Sequence, residues 1–139
     1  MKIILFAIVL IWLFNYWRFL GKRKYFKKMV MVMEKRCKKL GTPQSGLDLA
    51  CAYMNAQRYK DAYNLFSDLL SEISGQSENI KMNMEFCMKP LPWSKGLKNH
   101  NMSYWHNFML VRMGARRINL MSEEAIIAMD NYDITGRTN

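Results

Sequence analysis

The sequence predicts an all-α fold, with a single N-terminal transmembrane helix followed by a small helical domain. Residues 3–20 are almost entirely apolar and, at about 1.5 Å per residue, are long enough to cross the hydrocarbon core of a bilayer. Apolar residues then recur at helical spacing through 26–40 and 47–70. Only one alternating, strand-like run occurs, at 80–88, and a lone strand has nothing to pair with.

Residues 1–20 are predicted to be a permanent membrane anchor. A cleaved signal peptide is the alternative, but no pair of small residues marks a cleavage site after the apolar run. A buried core helix is the second alternative, and it needs no basic flank. Aromatic and basic residues gather at the C-terminal end, where the anchor meets the headgroups: Trp12, Tyr16, Trp17 and Arg18.

The positive charge is confined to one end of the chain. Residues 1–40 hold 11 Lys and Arg against Glu34, whereas residues 41–139 hold 10 basic and 10 acidic residues. Five of the basic residues directly follow the anchor: Lys22, Arg23, Lys24, Lys27 and Lys28. We call them the basic collar. Because such a cluster stays in the cytoplasm, we predict that the N-terminus faces out, that the domain is cytoplasmic, and that the collar contacts anionic lipid. The neutral domain makes nucleic acid an unexpected partner.

Residues 21–41 are predicted to form a basic amphipathic stem. Phe26, Met29, Met33, Cys37 and Leu40 fall on one helical stripe. Two interpretations remain open, because the stripe suits either a helix lying on anionic lipid or a helix packed on the folded domain. Gly21 is a candidate hinge between anchor and stem.

A helical hairpin is predicted over residues 43–75. Thr42 followed by Pro43 is typical of a helix start, and Gly75 of a helix end. A polar break near residues 55–61 separates the two helices.

This hairpin resembles a tetratricopeptide repeat, a 34-residue unit of two antiparallel helices. The residues that match the pattern are Leu49, Ala50, Tyr53, Tyr59, Ala62, Phe66 and Leu70. Four positions depart from it: Gly46 replaces Trp, Gln57 replaces the turn glycine, Leu69 replaces an alanine and Ser74 replaces the closing proline. One repeat cannot bury its own face, so the stem and later segments are expected to cover it.

The resemblance implies a partner-binding groove on the first helix, at Leu47, Cys51, Met54 and Asn55. These residues would bind something apolar. The alternative is that they pack against the stem or a C-terminal helix of the same chain.

The C-terminal half of the helical domain, which we place at residues 42–131, is less regular. Residues 78–89 are predicted as helix, with a strand as the alternative. Residues 89–101 are predicted as a loop and 103–120 as a further helix. Ser122 is predicted to cap a last helix that runs from Glu124 to about Asn131, and residues 132–139 are predicted to be a flexible tail.

No pattern in the sequence indicates an enzyme. The three cysteines have no metal-ligand spacing, and no phosphate loop or nucleophile motif occurs. We therefore predict no catalytic residues, no cofactor and no metal. The function predicted is a non-catalytic, membrane-anchored module for protein–protein interaction on the cytoplasmic side. The alternative is an accessory structural subunit of a multi-subunit membrane complex.

Overall fold

The computed structural model describes residues 1–88, 114 and 116–135, apart from the side chains of residues 19 and 133–135. Within these ranges there is no strand, which confirms the all-α class for the described part of the chain. The α-helices are α1 (Lys2–Leu40), α2 (Pro43–Asn55), α3 (Tyr59–Leu70), α4 (Ser77–Met88) and α5 (Glu123–Thr135). A short 3-10 helix, Ser74–Gln76, lies between α3 and α4.

Helix α1 is continuous over 39 residues, so the anchor and the stem form one rod. Gly21 lies inside this helix, with no other atom near the position of its missing β-carbon. The prediction of a hinge at Gly21 is therefore wrong for this structure. The helix ends at Gly41, whose φ of 61° is the left-handed conformation that glycine adopts freely, and whose N–H bonds the Cys37 carbonyl.

The second half of α1 packs on the domain. Met29, Val30, Val32 and Met33 are buried in an apolar cluster with residues of α2 and α5, namely Leu49, Ala52, Ala125 and Met129. The stem stripe is thus covered by the protein itself, as the second of the two interpretations held. Leu40, at the end of the stripe, remains exposed.

The start of the hairpin is as predicted, and its end is not. Thr42 Oγ1 accepts the N–H of Ser45 at 3.2 Å and caps α2, and Pro43 takes the first helical position. Three residues join α2 to α3, and Gln57 among them has a φ of 64°. Helix α3 ends at Leu70, earlier than the predicted end near Gly75.

Helices α2, α3 and α4 enclose the larger part of the core. Helix α4 contributes Ile80, Phe86 and Cys87, whose spacing places them on one helical face and explains why this segment is helix rather than strand. The Phe86 and Tyr59 rings pack edge to face, 5.9 Å apart. The full buried set is Leu47, Ala50, Cys51, Met54, Tyr59, Ala62, Phe66, Leu69, Ile80, Phe86, Cys87 and Leu120.

The last described part of the chain departs from prediction at both ends. Residues 116–120 are not helical, so the predicted helix 103–120 does not reach its expected end. The remainder of that helix lies largely outside the described residues, as does the predicted loop at 89–101. Ser122 caps α5 through the N–H of Ala125 at 3.3 Å, as predicted, but α5 continues to Thr135, into the predicted tail.

Two helices run back along α1 toward its apolar half. Asp48 of α2 bonds Arg36 of α1, and Asn55, further along α2, reaches Met29. Higher numbers on α2 therefore meet lower numbers on α1. Helix α5 follows the same course, because Glu124 lies 3.6 Å from Arg36 while Met129 belongs to the cluster that contains Met29.

Candidate membrane interface and the predicted groove

The described side chains in the apolar half of α1 are all exposed. Its most apolar window has a mean hydropathy of 2.0, and none of that window is buried. A core helix of the same composition would be covered by its neighbours, whereas exposed apolar surface of this extent needs another environment. By length and composition, this helix is able to cross a membrane.

The predicted lipid-contact residues follow one another up the same helix. Trp12 and Tyr16 are one turn apart and stack with their ring centroids 5.9 Å apart, and Trp17 is exposed on another side. Arg18 folds back over the Phe14 ring, 6.0 Å from its centroid. Aromatic side chains of this kind suit the boundary between hydrocarbon and headgroups.

The basic collar lies between the apolar half and the packed half of α1. Arg23, Lys24, Lys27 and Lys28 are exposed, and Lys22 is partly so. Burial begins at Met29, the residue next to the last collar lysine. The collar is therefore a short charged stretch of α1. The exposed apolar half of the helix precedes it, and the half that packs on the domain follows it.

The predicted groove is not open in the structure. Leu47, Cys51 and Met54 are buried in the core, and half-buried Asn55 has its amide 4.0 Å from the Met29 sulfur. The surfaces that a partner would need are covered by α3, α4, α1 and Leu120. Leu47, Cys51 and Met54 thus face the domain core formed with α3, α4 and Leu120, and Asn55 is the residue of the four that meets the stem, at Met29.

A buried carboxylate joins three parts of the chain at the far end of α2. Asp48 is 0% exposed, and its two oxygens accept four hydrogen bonds. Oδ1 accepts the Ser122 N–H at 2.8 Å and the Gln44 amide at 3.2 Å. Oδ2 accepts the Ser122 hydroxyl at 3.0 Å and the Arg36 guanidinium. Every lone pair is occupied, which is what allows a charge to be buried without a large penalty.

A second buried polar residue holds the segment that precedes α5. Asn83 of α4 is 0% exposed. Its amide donates to the Ile118 carbonyl at 2.8 Å, and its carbonyl accepts the Ile118 N–H at 2.7 Å. The two bonds give both ends of the Asn83 amide a partner and fix the backbone at Ile118.

Two of the three thiols lie in this core. Burial raises the pKa of Cys51 to about 11 and the pKa of Cys87 to about 12. At neutral pH both are protonated and unreactive, since the thiolate is the nucleophile and the metal ligand. In the part of the chain that the structure describes, no group of three or more His, Cys, Asp or Glu side chains is placed to hold a metal ion.

Asp48 and Asn83 were not singled out by sequence reasoning, although a signal was present. Asp48 is the one charged residue in an apolar stretch, between Leu47 and Leu49. Asn83 shares a helical face with Ile80 and Cys87. A polar residue on an apolar helical face indicates a buried partner, but it does not say which one.

Comparisons of the chain with protein-family models, with curated proteins and with solved structures each gave no match.

Proposed function

We propose that this protein is a membrane-anchored interaction module, with residues 1–20 in the bilayer and the helical domain on the cytoplasmic side. The observation that carries the proposal is the division of α1 into an exposed apolar half, a basic collar and a buried half. So large an exposed apolar surface is unfavourable in water, whereas the hydrocarbon core of a bilayer would cover it.

The continuity of α1 supports an anchor over a cleaved signal. Met29, Val30 and Met33 belong to the domain core, and the helix that presents them begins at Lys2. Cleavage after the apolar run would cut an unbroken helix about two turns before its buried residues.

The collar supports a cytoplasmic domain. Its five basic residues outnumber Lys2, the one basic side chain before the apolar run. Basic residues close to a span are retained on the cytoplasmic side, and anionic headgroups there attract them by about 1 kcal/mol each. A tethered domain also meets membrane-bound partners at a raised effective concentration.

Membrane insertion and orientation are tested by labelling single cysteines in intact cells. In a chain whose native cysteines are replaced by Ala, Lys2→Cys is expected to react with an impermeant maleimide from outside. Lys39→Cys, exposed near the end of α1, is expected to react only after permeabilisation. The reverse pattern would overturn the orientation. Release of the chain into the soluble fraction without detergent would overturn the anchor.

An accessory subunit of a membrane complex is the second candidate, and one surface favours it. Ile126 and Ile127 on α5 are 42% and 56% exposed, next to each other on the outside of the domain. A permanent neighbour would cover them. Pull-down in mild detergent separates the two candidates: a stoichiometric membrane protein that is lost with Ile126→Glu and Ile127→Glu indicates a subunit, and an exchangeable soluble client indicates a module.

A further inference from the structure

Residues 116–122, here called the crossing segment, lie across α2 and α4 without forming helix or strand. Its backbone is bound by side chains at alternate residues. Asn83 takes both the N–H and the carbonyl of Ile118, at 2.7 and 2.8 Å, and Gln44 donates to the Leu120 carbonyl at 3.1 Å. Two residues on, the Ser122 N–H donates to Asp48. This spacing is that of an extended chain whose backbone is held along its length.

Bonds to the backbone do not depend on which side chains the segment carries. Side-chain selection comes mainly from two positions, Leu120 and Ser122, while Ile118 and Met121 are only partly buried against the core. Leu120 inserts into the core cluster that contains Cys51, and the Ser122 hydroxyl donates to Asp48 at 3.0 Å. Backbone capture combined with a few side-chain pockets is how proteins commonly recognise extended peptides.

We propose that this face of α2 and α4 is a binding site for an extended segment of a partner protein, and that the crossing segment occupies it in cis. The proposal rests on the proposed function as an interaction module and adds the chemistry of the ligand. That ligand carries an aliphatic residue followed two positions later by Ser or Thr, as Leu120 is followed by Ser122.

The site exchanges occupants and does not stand empty. Asp48 and Asn83 are both fully buried. Without the crossing segment, Asn83 loses both of its bonds to Ile118, and Asp48 loses its two bonds to Ser122 and keeps those from Arg36 and Gln44. A buried polar group that loses its hydrogen-bond partners is costly, so an empty face is disfavoured. The crossing segment belongs to the same chain as α4, so it competes for the face as an intramolecular ligand with a raised effective concentration. A partner segment must therefore bind more tightly than its cis competitor.

The test weakens the cis occupant and leaves the face intact. The full chain, reconstituted in nanodiscs, carries Leu120→Asp, which introduces a charge into the core and releases the crossing segment. The matched control is Asn119→Asp, which adds the same charge at an exposed neighbour and keeps the oxygen that accepts the Met121 N–H. The probe is a fluorescent peptide with the sequence of residues 116–124.

The Leu120→Asp chain is expected to bind the peptide at least tenfold more tightly than the wild-type or Asn119→Asp chain does. A peptide that itself carries Asp in place of Leu120 is expected not to bind. Adding Asn83→Ala to the Leu120→Asp chain is expected to abolish binding. Cys51 and Cys87 are expected to become reactive in the Leu120→Asp chain and to be protected again by the peptide. No peptide binding by a chain that keeps its helical content would overturn the proposal.

Should Leu120→Asp unfold the domain, a second measurement decides. A protease site inserted between residues 95 and 105 of the wild-type chain is cut in nanodiscs, and labelled fragment 116–139 is added in excess. Exchange of the labelled fragment for the resident one supports the proposal, and full retention of the resident fragment overturns it. Exchange between two intact chains without any peptide binding assigns the face to a second copy and also overturns it. A negative result here leaves the membrane anchor standing, since that is tested by cysteine labelling.

Discussion

Gly46 of α2 lies directly against Leu69 of α3: a β-carbon built on Gly46 would be 3.0 Å from Cδ2 and 3.1 Å from Cδ1 of the leucine. In the tetratricopeptide pattern that the sequence of this hairpin resembles, the first position carries Trp and the second Ala. In this chain a glycine meets a leucine, and the leucine side chain fills the space beside Gly46.

Gly46→Ala is therefore expected to bring no net stability, although Ala in a helix is favoured over Gly by about 1 kcal/mol. In a Leu69→Ala background the steric contact is gone, and the same substitution is expected to stabilise by about 1 kcal/mol. Chemical denaturation of the four chains in a double-mutant cycle measures the coupling. Equal effects of Gly46→Ala in both backgrounds would show that the contact has no energetic weight.

Asp48→Ala is expected to destabilise the domain by about 3–5 kcal/mol, because it leaves the Arg36 guanidinium without its buried partner. The control is Glu124→Gln, which removes the other carboxylate near Arg36. Glu124 is 84% exposed and 3.6 Å away, so its loss is expected to cost well under 1 kcal/mol. Urea unfolding followed by far-UV circular dichroism compares them, and similar losses in the two variants would contradict the assigned role of Asp48.

Gln57→Gly is expected to stabilise the domain, because Gln57 has a φ of 64° where a residue with a β-carbon is strained. The expected gain is about 1 kcal/mol from relieved backbone strain, reduced by the stabilisation that the contacts of the Gln57 side chain contribute. Gly41→Ala is the opposite change at a φ of 61° and is expected to cost about 1 kcal/mol. Melting temperatures should move in opposite directions, and a shift in the same direction would show that side-chain contacts outweigh backbone strain.

Alkaline pH is expected to weaken the fold. The pKa of Cys51 is about 11 when folded, against an ordinary 9.0, so between these values the unfolded chain has lost the proton and the folded chain has kept it. The contribution of Cys51 to the free energy of unfolding is therefore complete below pH 9 and is lost as pH rises toward 11. Near pH 10 the loss is about 1 kcal/mol per pH unit. Cys87, with a pKa of about 12, acts in the same direction.

Cys51→Ala should flatten this decline. Ala52→Gly, a neighbouring core change without a thiol, should lower stability at every pH and leave the slope unaltered. Denaturation at a series of pH values between 8 and 11 measures both slopes. Parallel curves for the wild-type and Cys51→Ala chains would contradict the buried-thiol account.

Local signals predicted helix starts well. Thr42 and Ser122 cap helices through bonds to N–H groups three residues on, so the information lies within one turn of chain. The hinge predicted at Gly21 is not seen, because one glycine destabilises a helix by only about 1 kcal/mol and the neighbouring residues maintain the helix.

The groove could not be judged from local pattern. Whether Leu47 and Cys51 face a partner or the protein's own core depends on the crossing segment. That segment is placed by Asn83 across 35 residues of chain and by Asp48 across 74. Apolar periodicity predicts that a helical face is covered, and it contains no information about which distant segment covers it.

Because α1 is one continuous helix, the number of residues between its apolar half and its buried half determines the direction in which the domain faces. An α-helix turns about 100° and rises about 1.5 Å per residue, so one alanine inserted after Gly21 rotates the whole domain by about 100° around the helix axis, relative to the apolar half of α1. Seven inserted alanines restore the heading to within about 20° while lifting the domain by about 10 Å. With the proposed anchor in the bilayer, a partner fixed in the same membrane would lose its contact with the domain after the one-residue insertion. A client that binds from solution would bind as before.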